Sequence, residues 1–222
     1  MTHLLHRLAA AALLAGSALA AHADNVLFIG YANGSANINY NIVSTPSPTV
    51  GTVGAGGFST KLNGGATFVS FCIDLYQTLS FGAPIAGYTQ VDGSLYPFTN
   101  LNAEADLSRL FTAYGAVATA SSTNSAAFQT AVWEIAYETA VVPYNLATGN
   151  ARFTGNAAAL AQASAWLGAL GTSDKVTITA LANPTRQDVL FSTPVPEPGT
   201  YALLAAGLAA LGFTSRKRRA QA

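Results

Sequence analysis

The chain has 222 residues, of which 9% are charged, and its ten basic residues balance ten acidic ones. Because all three histidines lie in the first 22 residues and Cys72 is the only cysteine, the rest of the chain excludes Ser-His-Asp and Cys-His catalysis, H-E-x-x-H zinc proteases and the usual zinc sites. Residues 24–194 carry five basic and nine acidic side chains, a net charge of −4, which excludes a basic nucleic-acid-binding patch.

The N-terminus has the pattern of a secretory signal peptide. A basic start with Arg7 precedes the apolar stretch Leu8–Leu19, and Ala21-His22-Ala23 forms an A-x-A cleavage site before Asp24. We expect residues 1–23 to direct the chain to the export machinery and then to be removed. The exported protein would therefore contain no histidine.

Residues 25–98 have the alternation and the turn residues typical of β-strands. Stretches rich in β-branched and aromatic residues are separated by Gly, Pro, Asn and Ser clusters; these stretches are NVLFIGY, ANINYNIV, ATFVSFCIDL and GYTQV. The glycine-rich stretch Gly51–Gly57 lacks the spacing of a dinucleotide-binding or phosphate-binding loop, so we interpret it as a loop or a strand edge.

The middle of the chain changes to helical periodicity. We predict helices near 103–120, with Asn102 as the cap, near 124–140 and near 156–170, followed by strands in KVTITALA and QDVLFST. This order predicts an α+β domain over residues 24–194, built as a β-sandwich or barrel with a helical insertion. We expect this exported domain to fold without a metal or an organic cofactor.

The candidate chemistry lies on one strand and one helix. Cys72 is an unpaired thiol on a predicted strand of an exported protein, where cysteines normally pair. On the second predicted helix, Gln129, Trp133 and Tyr137 recur at intervals of four residues and share one face. A glutamine on such an apolar face must find hydrogen-bond partners, because burying an unpaired amide is unfavourable.

Two short segments, Phe71-Cys72 and Phe128-Gln129-Thr130-Ala131-Val132-Trp133, resemble the two motifs of bacterial thioester domains, which are found in surface adhesins. The resemblance implies that Cys72 and Gln129 form an internal thioester, surrounded by Phe71, Phe128 and Trp133. It also implies a covalent adhesin, whose activated acyl group reacts with surface amines or with a sugar hydroxyl of an exopolysaccharide.

Other interpretations remain open. Cys72 can be a small buried hydrophobe and Gln129 a partner of a backbone carbonyl, in a non-covalent exopolysaccharide-binding or structural matrix protein. Tyrosines would then stack on sugars; the candidates are Tyr31, Tyr40, Tyr88, Tyr96 and Tyr144. An enzyme would need the carboxylates of Glu134, Glu138 or Asp74, but they lack a spacing specific to glycosidases, and we expect no enzymatic activity.

The C-terminus combines three features. A Pro-Glu-Pro turn is followed by the uncharged stretch Tyr201–Phe213 and by a basic tail; the residues of the turn and the tail are Pro196, Glu197, Pro198, Arg216, Lys217, Arg218 and Arg219. A helix over Tyr201–Phe213 would be about 20 Å long, shorter than the roughly 30 Å hydrocarbon core of a bilayer. It suits a transient membrane span with the basic tail in the cytoplasm.

These C-terminal features, in residues 195–222, resemble the PEP-CTERM sorting signal of Gram-negative bacteria. The resemblance implies that an exosortase-type enzyme processes the protein near the Pro-Glu-Pro turn. It also implies an inner-membrane intermediate, followed by release to the cell surface or to the extracellular matrix of a biofilm.

Overall fold

The computed structural model describes residues 23–139 and 143–195. The strands in this part are β1 (Asp24–Tyr31), β2 (Ala36–Ile42), β3 (Thr49–Ala55), β4 (Phe58–Leu62), β5 (Thr67–Cys72), β6 (Pro84–Asp92), β7 (Ala151–Gly155), β8 (Val176–Ala182) and β9 (Val189–Pro194). The helices are α1 (Ala103–Tyr114), α2 (Ser122–Tyr137) and α3 (Ala157–Gly168). Within these residues, every helix is too short or too polar to cross a bilayer.

Six of the described strands close into an antiparallel barrel with the neighbour order β1-β4-β5-β9-β8-β6. Its core contains Phe28, Phe58 and Tyr88, each at most 4% exposed. The ring of Phe28 meets those of Phe58 and Tyr88 edge to face, at centroid distances of 5.8 and 6.0 Å. Closure of the barrel pairs both edges of the sheet, so none of its strands is left with a free edge.

A second antiparallel sheet has the order β3-β2-β7. Along the chain, β2 and β3 lie between the barrel strands β1 and β4, and β7 comes from the helical part of the chain. The glycine-rich stretch lies mostly in β3, an edge strand of this sheet. The sequence did not indicate β4 or β7, because FSTKL and ARFTG are only five residues long and β7 pairs with a strand more than a hundred residues away.

The helices begin and end near local signals. α2 begins where the Ser121 hydroxyl accepts a hydrogen bond from the Asn124 amide, and α3 begins at the corresponding cap of Asn156. α1 ends at Tyr114 rather than near residue 120, and the turn after it contains Gly115. Asn102 occupies the N-cap position of α1, as predicted, but its side chain makes no capping hydrogen bond.

α2 is buried on all sides from Ser125 to Tyr137. It packs against α1 and α3, against β5 of the barrel and against all three strands of the second sheet. A helix in this position needs apolar or hydrogen-bonded residues around its whole circumference. The fold thereby brings Gln129, near the middle of α2, to the end of β5.

The observed architecture is α+β, with a barrel and a separate sheet in place of a sandwich. The helical insertion lies between β6 and β8 and is interrupted by β7. The second helix ends at Tyr137, short of the predicted end near residue 140, because the backbone of Glu138 is already extended. The predicted signal peptide up to residue 22 and the predicted sorting helix Tyr201–Phe213 lie outside the described residues.

Candidate functional site

Cys72 is the last residue of β5, and the barrel determines its position. It is paired with Val189 of β9, while the residue before it, Phe71, is paired with Leu190. Cys72 is 1% exposed and Gln129 is fully buried. The structure thus brings together the two residues that the sequence motifs single out, although 57 positions separate them along the chain.

The side-chain amide of Gln129 binds both backbone groups of Cys72. Its Oε1 accepts a hydrogen bond from the Cys72 amide at 2.8 Å, and its Nε2 donates to the Cys72 carbonyl at 2.8 Å. Because the site is buried, these two hydrogen bonds have no competition from bulk water. They hold the amide plane of the glutamine against the end of β5.

The Cys72 thiol donates to the carbonyl oxygen of Asp74 at 3.0 Å. Burial raises the pKa of the thiol to about 12. The indole N–H of Trp133 faces the sulfur and offsets part of that rise in pKa, without meeting the geometry of a regular hydrogen bond. The thiol is therefore protonated at neutral pH and is a weak nucleophile in this environment.

Aromatic rings fill the space between β5 and the helices. Phe71 and Phe128 lie with ring centroids 4.6 Å apart, and Phe111 of α1 meets both at 5.7 and 4.8 Å. Gly57 is next to this cluster, where a Cβ atom would lie 2.9 Å from the Phe71 ring. The cluster holds α2 at a close distance from the strand that carries Cys72.

The helix face formed by Gln129, Trp133 and Tyr137 follows the chain segment after β5. Gln129 binds the backbone of Cys72, Trp133 faces its sulfur, and the Tyr137 hydroxyl accepts a hydrogen bond from the Leu75 amide at 2.9 Å. Three successive turns of α2 thus contact three points of residues 72–75. This explains the spacing of four that the sequence shows.

A cavity of about 260 Å³ opens next to Cys72, and we call it the entry cavity. The residues of its wall include Tyr31, Tyr40, Cys72, Gln77, Phe81 and Trp133. In the described part of the chain, the residues that line it carry no charged side chain. Cys72 lines the entry cavity and Gln129 does not, so a small group in the cavity would approach the site from the side of the cysteine.

The five candidate tyrosines occupy different environments. Tyr31 and Tyr40 line the entry cavity, whereas Tyr88 is fully buried in the barrel and cannot stack on a ligand. Tyr96 and Tyr144 donate hydrogen bonds to buried or half-buried carboxylates, at 2.7 and 2.6 Å. The interpretation of Tyr88 as a sugar-stacking residue is therefore wrong.

Sequence reasoning missed Gln77, Phe81 and Gln187 as residues of the cavity wall. Gln77 and Phe81 lie in the loop between β5 and β6, and Gln187 lies in the loop before β9. A loop has no periodicity that reveals which side chains face inward. No signal in the sequence could have located these three residues.

The candidate carboxylates are engaged by backbone amides. Glu134 is fully buried; its Oε1 accepts from the Asn145 amide at 2.8 Å, and burial raises the pKa of this carboxyl to about 8. Glu138 accepts from the Asn150 amide, and Asp74 accepts from the Tyr76 amide. These contacts hold loops next to α2 and β5.

Comparison with known proteins shows that residues 194–219 match the PEP-CTERM protein-sorting motif. The chain carries a PEP-CTERM sorting signal. The matched segment includes all seven sorting residues named above, from Pro196 to Arg219. The signal implies an exported, cell-surface-associated protein that is processed by an exosortase-type enzyme.

The described fold is also similar to solved structures. One is the N-terminal thioester domain of a surface protein from Clostridium perfringens, a cysteine-to-alanine mutant, with 12% identity, a TM-score of 0.45 and coverage of 71% of this chain and 99% of that chain. Another is the N-terminal domain of the Streptococcus pyogenes pilus tip adhesin Cpa, with 10% identity, a TM-score of 0.44 and coverage of 72% and 95%. No curated protein matches the chain.

Proposed function

We propose that this exported protein is a covalent adhesin in which Cys72 and Gln129 form an internal thioester. The observation that carries the proposal is the pair of hydrogen bonds, both 2.8 Å, that hold the Gln129 amide against Cys72. The single thiol and the buried glutamine thereby lie next to each other, beside a cavity that reaches the surface.

Formation of the thioester needs no further reactant. The Cys72 sulfur adds to Cδ of Gln129, the C–N bond breaks, and the amide nitrogen leaves as ammonia with the thiol proton. The Cys72 amide N–H already binds Oε1, so it can stabilise the negative charge that this oxygen carries during the addition. The hydrogen bond from Nε2 to the Cys72 carbonyl is the one that is lost.

Burial then protects the product. Cys72 is 1% exposed and Gln129 is fully buried, so bulk water has little access to the thioester carbonyl. A nucleophile that enters through the entry cavity attacks this carbonyl, the C–S bond breaks, and the sulfur takes up the proton. Because each molecule reacts once and is consumed, we propose an adhesin and not an enzyme.

The sorting signal supports a cellular setting for the proposed chemistry. We propose that the chain passes through an inner-membrane intermediate of a Gram-negative cell, with Arg216–Arg219 in the cytoplasm. Processing by the exosortase-type enzyme then releases residues 24–194 to the cell surface or the biofilm matrix, where surface amines or exopolysaccharide are available.

The mass of the intact protein, purified after export, tests the proposal. A thioester makes the protein lighter than its sequence by one ammonia, makes it unreactive to thiol reagents, and allows methylamine to open the bond and expose the thiol. Cys72→Ala and Gln129→Ala should each abolish the mass loss, while Gln162→Ala on α3 should keep it. An unmodified mass with a titratable Cys72 thiol would refute the thioester and favour the non-covalent matrix protein.

A further inference from the structure

The walls of the entry cavity differ from those of a site for a charged group. Tyr31, Tyr40 and Phe81 provide aromatic surface, and Gln77 and the loop residue Thr78 provide amide and hydroxyl groups. The Oε1 atom of Gln77 is buried, and within the described residues no donor reaches it; the residue lies in the wall shared by the entry cavity and the neighbouring cavity. A ligand with a hydroxyl donor next to a hydrophobic face would satisfy both features.

The aromatic part of the wall is preformed. The Tyr31 hydroxyl donates to the Gly54 carbonyl at 3.0 Å, and the Tyr40 hydroxyl donates to the Leu75 carbonyl at 3.2 Å. Both rings lie against glycines of β3, since a Cβ atom at Gly51 would be only 2.6 Å from the Tyr40 oxygen. Phe81, which is 44% exposed, meets Tyr31 edge to face at a centroid distance of 5.5 Å.

The described wall of the cavity offers no counter-ion to a cation, although the negative charges of Asp74 and Asp188 act on the Cys72 sulfur from beyond it. No carboxylate belongs to the described residues of its wall, so an ammonium group that entered would lose hydration without gaining a counter-ion. The Asp74 carboxylate, two residues from Cys72, accepts the Tyr76 amide at 2.7 Å and lines a different cavity. The volume of about 260 Å³ is below the range of about 300–1,000 Å³ typical of drug-sized ligands, which suits one sugar ring.

We infer that the group which opens the thioester is a hydroxyl of a neutral carbohydrate, and that Tyr31, Phe81 and Gln77 select it over a protonated amine. The inference rests on the proposed thioester. In this step the sugar oxygen bonds to Cδ of Gln129, the C–S bond breaks, and the hydroxyl proton moves to the Cys72 sulfur. The products are a sugar ester of the Gln129 acyl group and a free thiol.

The same environment supplies the base for this step. A hydroxyl attacks a carbonyl only as its proton is removed, and no histidine or carboxylate lines the described wall of the cavity. The departing sulfur can accept the proton, because burial raises the pKa of the Cys72 thiol to about 12. An amine would reach the carbonyl in its neutral form and would gain less from a basic leaving group.

Two probes at equal concentration test the inference on the protein purified after export. The two probes, compared at neutral pH, are methyl glucoside and Nα-acetyl-lysine amide, whose side-chain amine is free. The adduct on Gln129 is measured by its mass, and cleavage by hydroxylamine distinguishes an ester from an amide. We expect the ester with methyl glucoside to form at least about tenfold faster than the amide bond with the lysine probe. A faster lysine adduct would overturn the inference and indicate a protein target.

A methylamine reaction in parallel separates the two proposals. If methylamine opens the bond while methyl glucoside leaves the mass unchanged, the thioester stands and the sugar inference is wrong. If the starting mass lacks no ammonia, both proposals fail. The starting mass by itself therefore distinguishes failure of the sugar inference from failure of the thioester.

Variants of the wall test which residues select the sugar. Phe81→Ala and Gln77→Leu should each lower the ratio of sugar adduct to methylamine adduct about fivefold or more. Leu101→Ala and Gln162→Leu make matched substitutions outside the cavity wall and should keep the wild-type ratio. Retention of that ratio in both wall variants would overturn the proposed selection.

Discussion

The Gln129 side chain contacts Cys72 as a neighbouring strand would: its Oε1 accepts a hydrogen bond from the backbone N–H, and its Nε2 donates one to the backbone carbonyl. β5 ends at Cys72, so the glutamine continues the hydrogen-bond pattern at the point where the strand stops. The same contact fixes the amide carbon near the thiol-bearing residue. The Gln129 side chain therefore both stabilises the end of β5 and supplies the acyl group of the proposed thioester.

The two hydrogen bonds predict a measurable loss of stability. In a Cys72→Ala background, where no thioester can form, Gln129→Leu leaves the buried N–H and carbonyl of residue 72 unpaired. We expect the free energy of unfolding to fall by about 2–4 kcal/mol, measured in urea. Gln162→Leu on α3 is the control and should change it by less than about 0.5 kcal/mol; an equal effect of both would contradict the contact.

Trp133 tests the environment of the sulfur. The indole N–H lowers the pKa of the Cys72 thiol, so Trp133→Phe in a Gln129→Ala background should raise that pKa further. Alkylation with iodoacetamide at alkaline pH should then slow by about twofold to fivefold, with the pH profile displaced upward. Trp166→Phe, the same substitution on α3, should leave the profile in place; identical effects of the two would refute a specific role of Trp133.

The raised pKa of the buried Glu134 carboxyl predicts how the stability of the protein depends on pH. This pKa rises from 4.5 to about 8 in the folded protein, so unfolding releases a proton between these values and stability falls as pH rises through that window. Glu134→Gln should remove this decline and gain a few kcal/mol at pH 8, measured by urea unfolding. Glu104→Gln on α1 should retain the wild-type decline; an unchanged slope in Glu134→Gln would disprove the assignment.

Two glycines should respond oppositely to the same substitution. A Cβ atom at Gly57 would lie 2.8 Å from Val69 and 2.9 Å from the Phe71 ring, so Gly57→Ala should lower the free energy of unfolding by about 1–3 kcal/mol. Gly168, at the end of α3, has open space, and Gly168→Ala should raise stability by about 0.4–1 kcal/mol. Thermal melts of both variants check the difference, and a stabilising Gly57→Ala would show that β4 and β5 are loosely packed.

The sorting signal predicts a processing defect. Cells without the exosortase-type enzyme should accumulate a longer form of the protein in the membrane fraction, because the C-terminal segment is not removed. Replacing Pro196, Glu197 and Pro198 with alanine should have the same effect, while restoring the enzyme should restore release. Immunoblots of cell fractions measure the length and location; full-length protein that is soluble in the cytoplasm with residues 1–23 intact would contradict export.

The sequence by itself determined the features that depend on neighbouring residues. Turn residues and alternation indicated most strands, and the spacing of Gln129, Trp133 and Tyr137 identified the helix face that contacts the end of β5. The sorting signal was also readable, because its turn, apolar stretch and basic tail follow one another directly along the chain. The α+β class followed from the order of these local patterns.

Only the tertiary structure decided which distant segments meet. β4 and β7 are short, and their pairing depends on partners that periodicity cannot locate, so the choice of a barrel with a separate sheet lay beyond local patterns. Burial of Tyr88 and the contribution of Gln77 and Phe81 to the entry cavity likewise depend on packing. The hydrophobic effect favours burial of apolar side chains but does not specify which residues become neighbours. Closure of the barrel around Phe28 and packing of α2 between the two sheets bring Gln129 to Cys72.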